Sequence, residues 1–416
     1  MKTLRNCVLL GTLLLLPQLG SAQRDAWIAT WTAGPAAADP DPNEPLLNLE
    51  DQTVRERVRV SVSGDRIRIR LSNEFGSSPL LVGSVSVAIP NDPSSVKPGS
   101  IRPITFDGRS SITIPPGAPV LSDPVTFPVA YRGEISVSIY FPKRVATPTW
   151  HLLARKRVVV SLRGDHTHDE NIPGGKETQS SILLTAVLVP AQPSQHLVVA
   201  FGDSIVDGDG STVDADRNWP NDLIRRLGKT PEGAKFAVVN EGIAGNRLLA
   251  DGPIEGLGVS ALARFDRDAL SIPGVTHIVL LEGMNDLSFP GAKLGELALA
   301  DPAEVRTADD LINAYHQLIA RAHARGVKLI AATLTPCEGV DIPGYYSEAK
   351  NAARRAVNNW IRNSGEFDGV IDFDAVLRDP DHPSRILLRL SSEDHLHPND
   401  AGYQAMADAI NLALFD

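Results

Sequence analysis

The chain has 416 residues, a formal net charge of −10, 43% hydrophobic and 5% aromatic residues, and two cysteines. The acidic balance disfavours nucleic acid and other polyanions as partners. Two cysteines cannot build a disulfide scaffold, so stability must come from buried cores, and the length suffices for two of them.

Residues 1–22 read as a secretory signal peptide. Lys2 and Arg5 precede an apolar core from Val8 to Leu16, followed by Pro17 and the small-residue pattern Gly20-Ser21-Ala22. Pro17, Gln18 and Gly20 stop the run short of the about 20 apolar residues a membrane span requires. Cys7 is upstream of the cleavage pattern, so no lipid attachment is expected there. Cleavage after Ala22 removes two of the 40 basic residues and leaves 38 minus 50, or −12, with Cys337 as the only cysteine. The expected location is secreted or periplasmic, without a stable membrane anchor. No oligomeric state is implied.

Residues 23–190 read as an all-β domain. Thr53 to Val62 and Arg66 to Leu71 alternate apolar and charged residues around Ser63-Gly64-Asp65, the pattern of a half-buried hairpin. Further strands are expected at Leu80 to Ile89, Ser111 to Ile114, Val125 to Val129, Glu134 to Phe141, Arg157 to Leu162 and Ile182 to Val189. Many short strands separated by Pro, Gly and Asn/Asp clusters imply a β-sandwich, jelly-roll-like.

Residues 191–195, Ala-Gln-Pro-Ser-Gln, form a linker, and the composition then changes. Strands are expected at Leu197 to Phe201, Phe236 to Asn240, His277 to Leu281, Lys328 to Thr333 and Val370 to Phe373. Helices are expected at Trp219 to Leu227, Thr307 to Arg325, Tyr346 to Arg362 and Asp400 to Leu414, with Thr307 and Asp310 as a capping pair. This alternation over residues 196–416 implies an α/β fold with one doubly wound, mostly parallel sheet.

In such sheets ligands bind beyond the carboxyl ends of the strands, and the unusual residues of this half fall there. Gly202-Asp203-Ser204 follows the first strand, Asn240-Glu241-Gly242-Ile243-Ala244-Gly245-Asn246 the second, and Glu282-Gly283-Met284-Asn285-Asp286 the third; Asp394-His395-Leu396-His397-Pro398 precedes the last helix. A Gly-Asp-Ser turn is by itself ordinary turn chemistry. Together, however, these loops hold what acyl transfer needs: a hydroxyl nucleophile, a base, an acid to orient the base, and donors for an oxyanion. Ser204, His397 and Asp394 are the candidates for the first three. Gly245 offers an unobstructed backbone N–H and Asn285 a neutral amide. His395 is the rival base, disfavoured because adjacent side chains point apart.

The four loops resemble the marker blocks of the SGNH (GDSL-type) hydrolase superfamily: Ser204 in Gly-Asp-Ser, Gly245 in the glycine loop, Asn285 in Gly-x-Asn-Asp, and Asp394-x-x-His397-Pro. The resemblance covers roughly residues 196–416 and implies a flavodoxin-like sheet. It also implies a catalytic set of Ser204, Asp394 and His397, and an oxyanion hole formed by the Ser204 and Gly245 amides and the Asn285 side chain. Val206 departs from the commoner Gly-Asp-Ser-Ile/Leu-Thr. The first half resembles the β domain preceding SGNH modules in some secreted carbohydrate esterases, through Trp27 to Thr32, Arg57 to Ser63 and Arg66 to Pro79.

Several motifs point elsewhere and are set aside. Asp207-Gly208-Asp209-Gly210-Ser211 lacks the glycine and glutamate of an EF-hand and reads as a solvated loop. His166 and His168 with Asp165 and Asp169 read as a polar loop, Cys337 as a buried thiol. No cofactor or metal is expected. Trp27, Trp31 and Trp150 are read either as sugar-stacking rings or as core. The expected function is a secreted serine esterase acting on short-chain acyl, chiefly O-acetyl, esters of carbohydrate. The alternatives are a lipolytic esterase or lysophospholipase, or a non-catalytic carbohydrate-binding protein.

Overall fold

The computed structural model describes residues 26–39, 48–145, 148–230 and 233–415; the expected signal peptide lies outside them. Two antiparallel sheets account for most of the first half. One joins Trp27–Thr32, Leu184–Pro190, Gly64–Ser72 and Val125–Val129, with Pro119–Leu121 also on Gly64–Ser72. The other runs through Lys176–Thr178, Val158–Arg163, Gln52–Arg59, Glu134–Phe141, Ser84–Ala88 and Arg102–Ile104. Ile67, Ile69 and Leu71 from the first and Val54, Ile135, Val137 and Ile139 from the second are buried in one core, the alternation expected of a β-sandwich.

The expected hairpin does not form. Gln52–Arg59 pairs with Glu134–Phe141 and Val158–Arg163, whereas Gly64–Ser72 pairs with Leu184–Pro190 and Val125–Val129. Residues 60–63 therefore carry the chain from one sheet to the other, held where the Ser61 and Val62 amides donate to the Thr30 hydroxyl at 3.0 and 2.9 Å. Alternation determines which face a residue takes but not which strand it pairs with. The charged face is not solvated either. Arg55 is buried and donates to Ser138 Oγ and the Asp169 carbonyl, while Arg57 and Arg59 meet Asp214 and Asp216 at 2.6 and 2.5 Å.

The second half is built on a five-stranded parallel sheet in the order Phe236–Gly242, His196–Gly202, Val275–Leu281, Lys328–Ala332, Gly369–Ile371. Numbered along the chain that is 2-1-3-4-5, the flavodoxin-like order. Apart from His196, every residue of the first strand is buried, which suits the β-branched run Leu197-Val198-Val199-Ala200-Phe201. Gly202 is level with Gly242 on one side and Leu281 on the other, so three loops leave the sheet at the same height.

Helix Trp219–Leu227 starts with Asn218 as its cap and a proline in its first turn, and Ala308–Ala324 carries the expected Thr307–Asp310 capping box. Glu348–Asn363 begins at Ser347. Asp400–Ala409 is shorter than expected and gives way to a 3₁₀ turn at Leu412–Phe415.

The two halves share an extensive contact. Trp27–Thr32 lies along the edge strand Phe236–Gly242, where the Thr32 hydroxyl donates to the Asn240 carbonyl at 3.0 Å. This covers an edge that would otherwise be open to pairing. A cavity of about 90 Å³ remains between the halves, lined among others by Glu56, Arg57, His151, Asp207 and Asn218. Among the described residues no helix is long and apolar enough to cross a membrane.

Candidate active site

Ser204 opens a single helical turn, Ser204–Asp207, directly after the first parallel strand. Asp203 caps that turn by accepting from the Ile205 amide at 3.0 Å. Gly202 is required by close approach: a Cβ there would stand 1.9 Å from the Leu281 carbonyl oxygen. The chain can therefore turn sharply beside the neighbouring strand and present the hydroxyl at its end.

The loop before the last helix reaches the same place. His397 Nε2 is 2.9 Å from Ser204 Oγ, and His397 Nδ1 is 2.6 Å from Asp394 Oδ2. The other carboxylate oxygen of Asp394 accepts from Ser392 Oγ and from the Leu396 and His397 amides at 2.6, 2.8 and 2.9 Å. Asp394 is thus fixed by its own turn before it meets the imidazole. Burial would raise its pKa, but the hydrogen bond and charge of His397 and the local donors hold it far below the usual carboxylate range. In His397 burial works against the charged form, yet the Asp394 hydrogen bond and the charges of Asp209, Asp394 and Asp203 raise it above its ordinary 6.5. His395 sits in the same loop with φ +59°, and it is His397 that faces the serine.

Gly245 has φ +71°, in the left-handed region, and a Cβ there would meet Leu257 at 2.8 Å. Neither its amide nor that of Ser204 donates to an acceptor among the described residues. Asn285, in the short helix Met284–Ser288, donates from Nδ2 to the Asn246 carbonyl at 2.8 Å, and its Oδ1 accepts from the Tyr345 hydroxyl at 2.8 Å. That pair of contacts sets the orientation of the amide and ties it to the glycine loop.

Behind the site, Arg264 had no signal in the sequence, and several acidic residues of the motifs take places that the sequence did not mark. Arg264 is buried and donates to the carbonyls of Gly202 and Glu241 and to Asn246 Oδ1, each at 2.8 Å, joining the ends of two strands to the glycine loop. Asp203 and Asp286 are pushed up to about 6 by burial, and burial also raises Glu282 well above its ordinary value. Asp209 Oδ2 lies 3.9 Å from His397 Nε2. The stretch read as a solvated loop is largely buried at its ends. Asp207 and Ser211 are 6% and 3% exposed, and Asp207 pairs with His151 of the antiparallel half. Such contacts come from residues far apart in the chain, which no local pattern marks.

Trp150 is buried against Gly256, so it belongs to the core and is not a stacking platform. Trp27 is partly covered by Arg68, 5.0 Å from its ring centre. Cys337 is buried, and burial pushes its thiol up to about 12. His166 pairs with Asp169 at 2.7 Å, and no group of three His, Cys, Asp or Glu side chains among the described residues is arranged to hold a metal ion.

The sheet order and the loops at its carboxyl edge define an α/β hydrolytic module of the SGNH type. Residues 200–405 match the model of the GDSL-like lipase/acylhydrolase family and form a GDSL-like domain. Solved structures similar to it include a GDSL-like lipase from Bacteroides thetaiotaomicron VPI-5482 (17% identity, 54% of this chain and 91% of that one, TM-score 0.38). An aryl esterase from M. smegmatis aligns at 16% identity over 51% of this chain and 95% of that one, TM-score 0.39. A carbohydrate acetylesterase family member from Sinorhizobium meliloti aligns at 16% identity over 52% and 95%, TM-score 0.37. No curated protein matches the chain.

Proposed function

We propose that the protein is an exported serine esterase that removes short acyl groups, chiefly O-acetyl, from carbohydrate. The observation that carries the esterase reading is the continuous relay from Ser204 Oγ through His397 to Asp394, at 2.9 and 2.6 Å. In this reading Ser204 Oγ bonds to the acyl carbon while its proton passes to His397 Nε2. Asp394 accepts from Nδ1–H throughout and stabilises the imidazolium. The oxyanion is met by the Ser204 and Gly245 amides and by Asn285 Nδ2. The bond to the alcohol oxygen then breaks, and that oxygen takes the proton from Nε2. Water repeats the sequence on the acyl-enzyme and releases the acid.

The short-acyl reading rests on the rim. The exposed large apolar residues among those described are Ile89, Leu121, Leu162, Leu294, Val305 and Leu388, and none falls in the rim segments 241–258 or 282–293. A long acyl chain would have little apolar surface to lie on there. Export follows from the expected signal peptide, residues 1–22.

The test is a product assay on the full mature chain with acetylated xylan, p-nitrophenyl esters from acetyl to octanoyl, and lysophospholipid. Acetate release, together with a steep fall in kcat/KM toward octanoyl, is expected. Better turnover of octanoyl esters or lysophospholipid would replace the proposal with the lipolytic alternative, and no turnover of any ester would leave a carbohydrate-binding protein.

A further inference from the structure

The antiparallel half approaches the proposed active site with Arg155, which contacts Asp209, and with His151, which contacts Asp207. His151, at the end of the strand Thr149–His151, is 7% exposed and lies between two acceptors. Its Nδ1 is 3.0 Å from the Gly34 carbonyl oxygen and its Nε2 is 3.1 Å from Asp207 Oδ1. A carbonyl oxygen and a carboxylate only accept, so both ring nitrogens carry protons and the side chain is an imidazolium paired with a carboxylate. The second oxygen of Asp207 accepts from the Ala244 amide at 3.1 Å. Asp207 closes the helical turn that Ser204 opens, and Ala244 immediately precedes Gly245.

Asp207 therefore bridges the two turns that carry the two backbone donors, one at Ser204 and one at Gly245. Resting on the esterase reading above, we propose that His151 is a positioning residue: by holding Asp207 it sets the spacing between the Ser204 and Gly245 amides, so that the β-rich half completes the oxyanion site of the other.

The surroundings agree with a charged His151. Burial alone would lower its pKa, but the charge and hydrogen bond of Asp207, the Gly34 carbonyl and the charge of Glu241 raise it to about 9. Glu56, facing it from Gln52–Arg59, is itself pushed up to about 8 by burial. Without the imidazolium, Asp207 would be a buried carboxylate beside the interdomain cavity, which His151 also lines. It would draw in water or a proton, and its grip on Ala244 would change.

The experiment compares His151→Ala, His151→Gln, Asp207→Asn and the His151→Ala/Asp207→Asn pair with the full mature protein on p-nitrophenyl acetate, alongside thermal unfolding. Phenylboronic acid, which forms a tetrahedral adduct with a serine, serves as the oxyanion probe. For His151→Ala the expected result is a fall in kcat of about 10- to 100-fold with KM within about twofold, because a displaced donor costs transition-state binding and not ground-state binding. The inhibition constant of phenylboronic acid should rise in parallel. His151→Gln, with a single donor nitrogen and no charge, should fall between, and the double variant should be no worse than the worse single one.

Should His151→Ala fail to fold, His151→Gln decides, through its kcat and its inhibition constant for phenylboronic acid. Folded variants with unchanged kcat would overturn the inference. A defect confined to KM would do the same. Turnover that survives Ser204→Ala would instead sink the esterase reading itself, so the two failures are distinguishable.

Discussion

The Tyr345 hydroxyl donates to Asn285 Oδ1 at 2.8 Å, and both side chains are buried. An amide can be flipped to exchange its donor and acceptor ends at little internal cost, but here the Asn246 carbonyl, which only accepts, requires the amide nitrogen on its side, and the phenol donates to the oxygen left on the other. With one Nδ2 proton given to the Asn246 carbonyl, the other is left for substrate. Tyr345→Phe should therefore lower kcat by about tenfold, the weight of roughly one net hydrogen bond, with KM little changed. A larger change in KM than in kcat would show that Tyr345 shapes substrate binding instead.

Asn285→Ala removes the donor outright. A fall in kcat of about 10²- to 10³-fold is expected from the loss of one oxyanion contact. Steady-state kinetics on p-nitrophenyl acetate separates this from an effect on KM alone, which would make Asn285 a ground-state binder.

Ser204→Ala should abolish turnover while leaving the unfolding midpoint near wild type, since the hydroxyl's hydrogen bond is to His397 and not to the core. His397→Ala should be nearly as severe. His395→Ala should be much milder, and an exchange of these two outcomes would identify His395 as the base.

Activity should rise with pH as His397 loses its proton. Its pKa is raised above 6.5 by Asp394, Asp209 and Asp203 against the effect of burial, so the rising limb of kcat/KM belongs above 6.5. A limb centred below 6.5 would contradict the environment seen here.

His151 links pH to stability in the opposite sense. Its pKa in the folded protein, about 9, is above the unfolded value of 6.5, so its contribution is fully present below about 6.5 and is lost as pH rises through 9. The charges of Asp207 and Glu241 raise it, and its own charge acts in turn on Glu56. Thermal unfolding followed from pH 7 to 10 should show a falling midpoint that is flatter in His151→Gln. Equal slopes in the two proteins would mean that His151 is not the group responsible.

Much of this molecule is determined locally. The run Leu197 to Phe201 followed by Gly-Asp-Ser defines a buried strand with a serine at its end, because side-chain branching and the need for a glycine act over a few residues. Strand direction then places the Gly245, Asn285 and His397 loops near that end, and the Asp394–His397 contact lies within a single turn. Pairing partners are different. The alternating stretches on either side of Ser63-Gly64-Asp65 were legible as strands, yet they belong to two sheets, since alternation specifies a face and the partner is chosen by the whole sandwich. Asp207 has the sequence of a solvated turn, and it is buried because a histidine 56 residues earlier reaches it. Tyr345 and Arg264 likewise have no motif of their own. A buried polar side chain must find partners wherever the folded chain brings them, and only the tertiary structure decided that His151, Arg264 and Tyr345 would be the ones behind the serine.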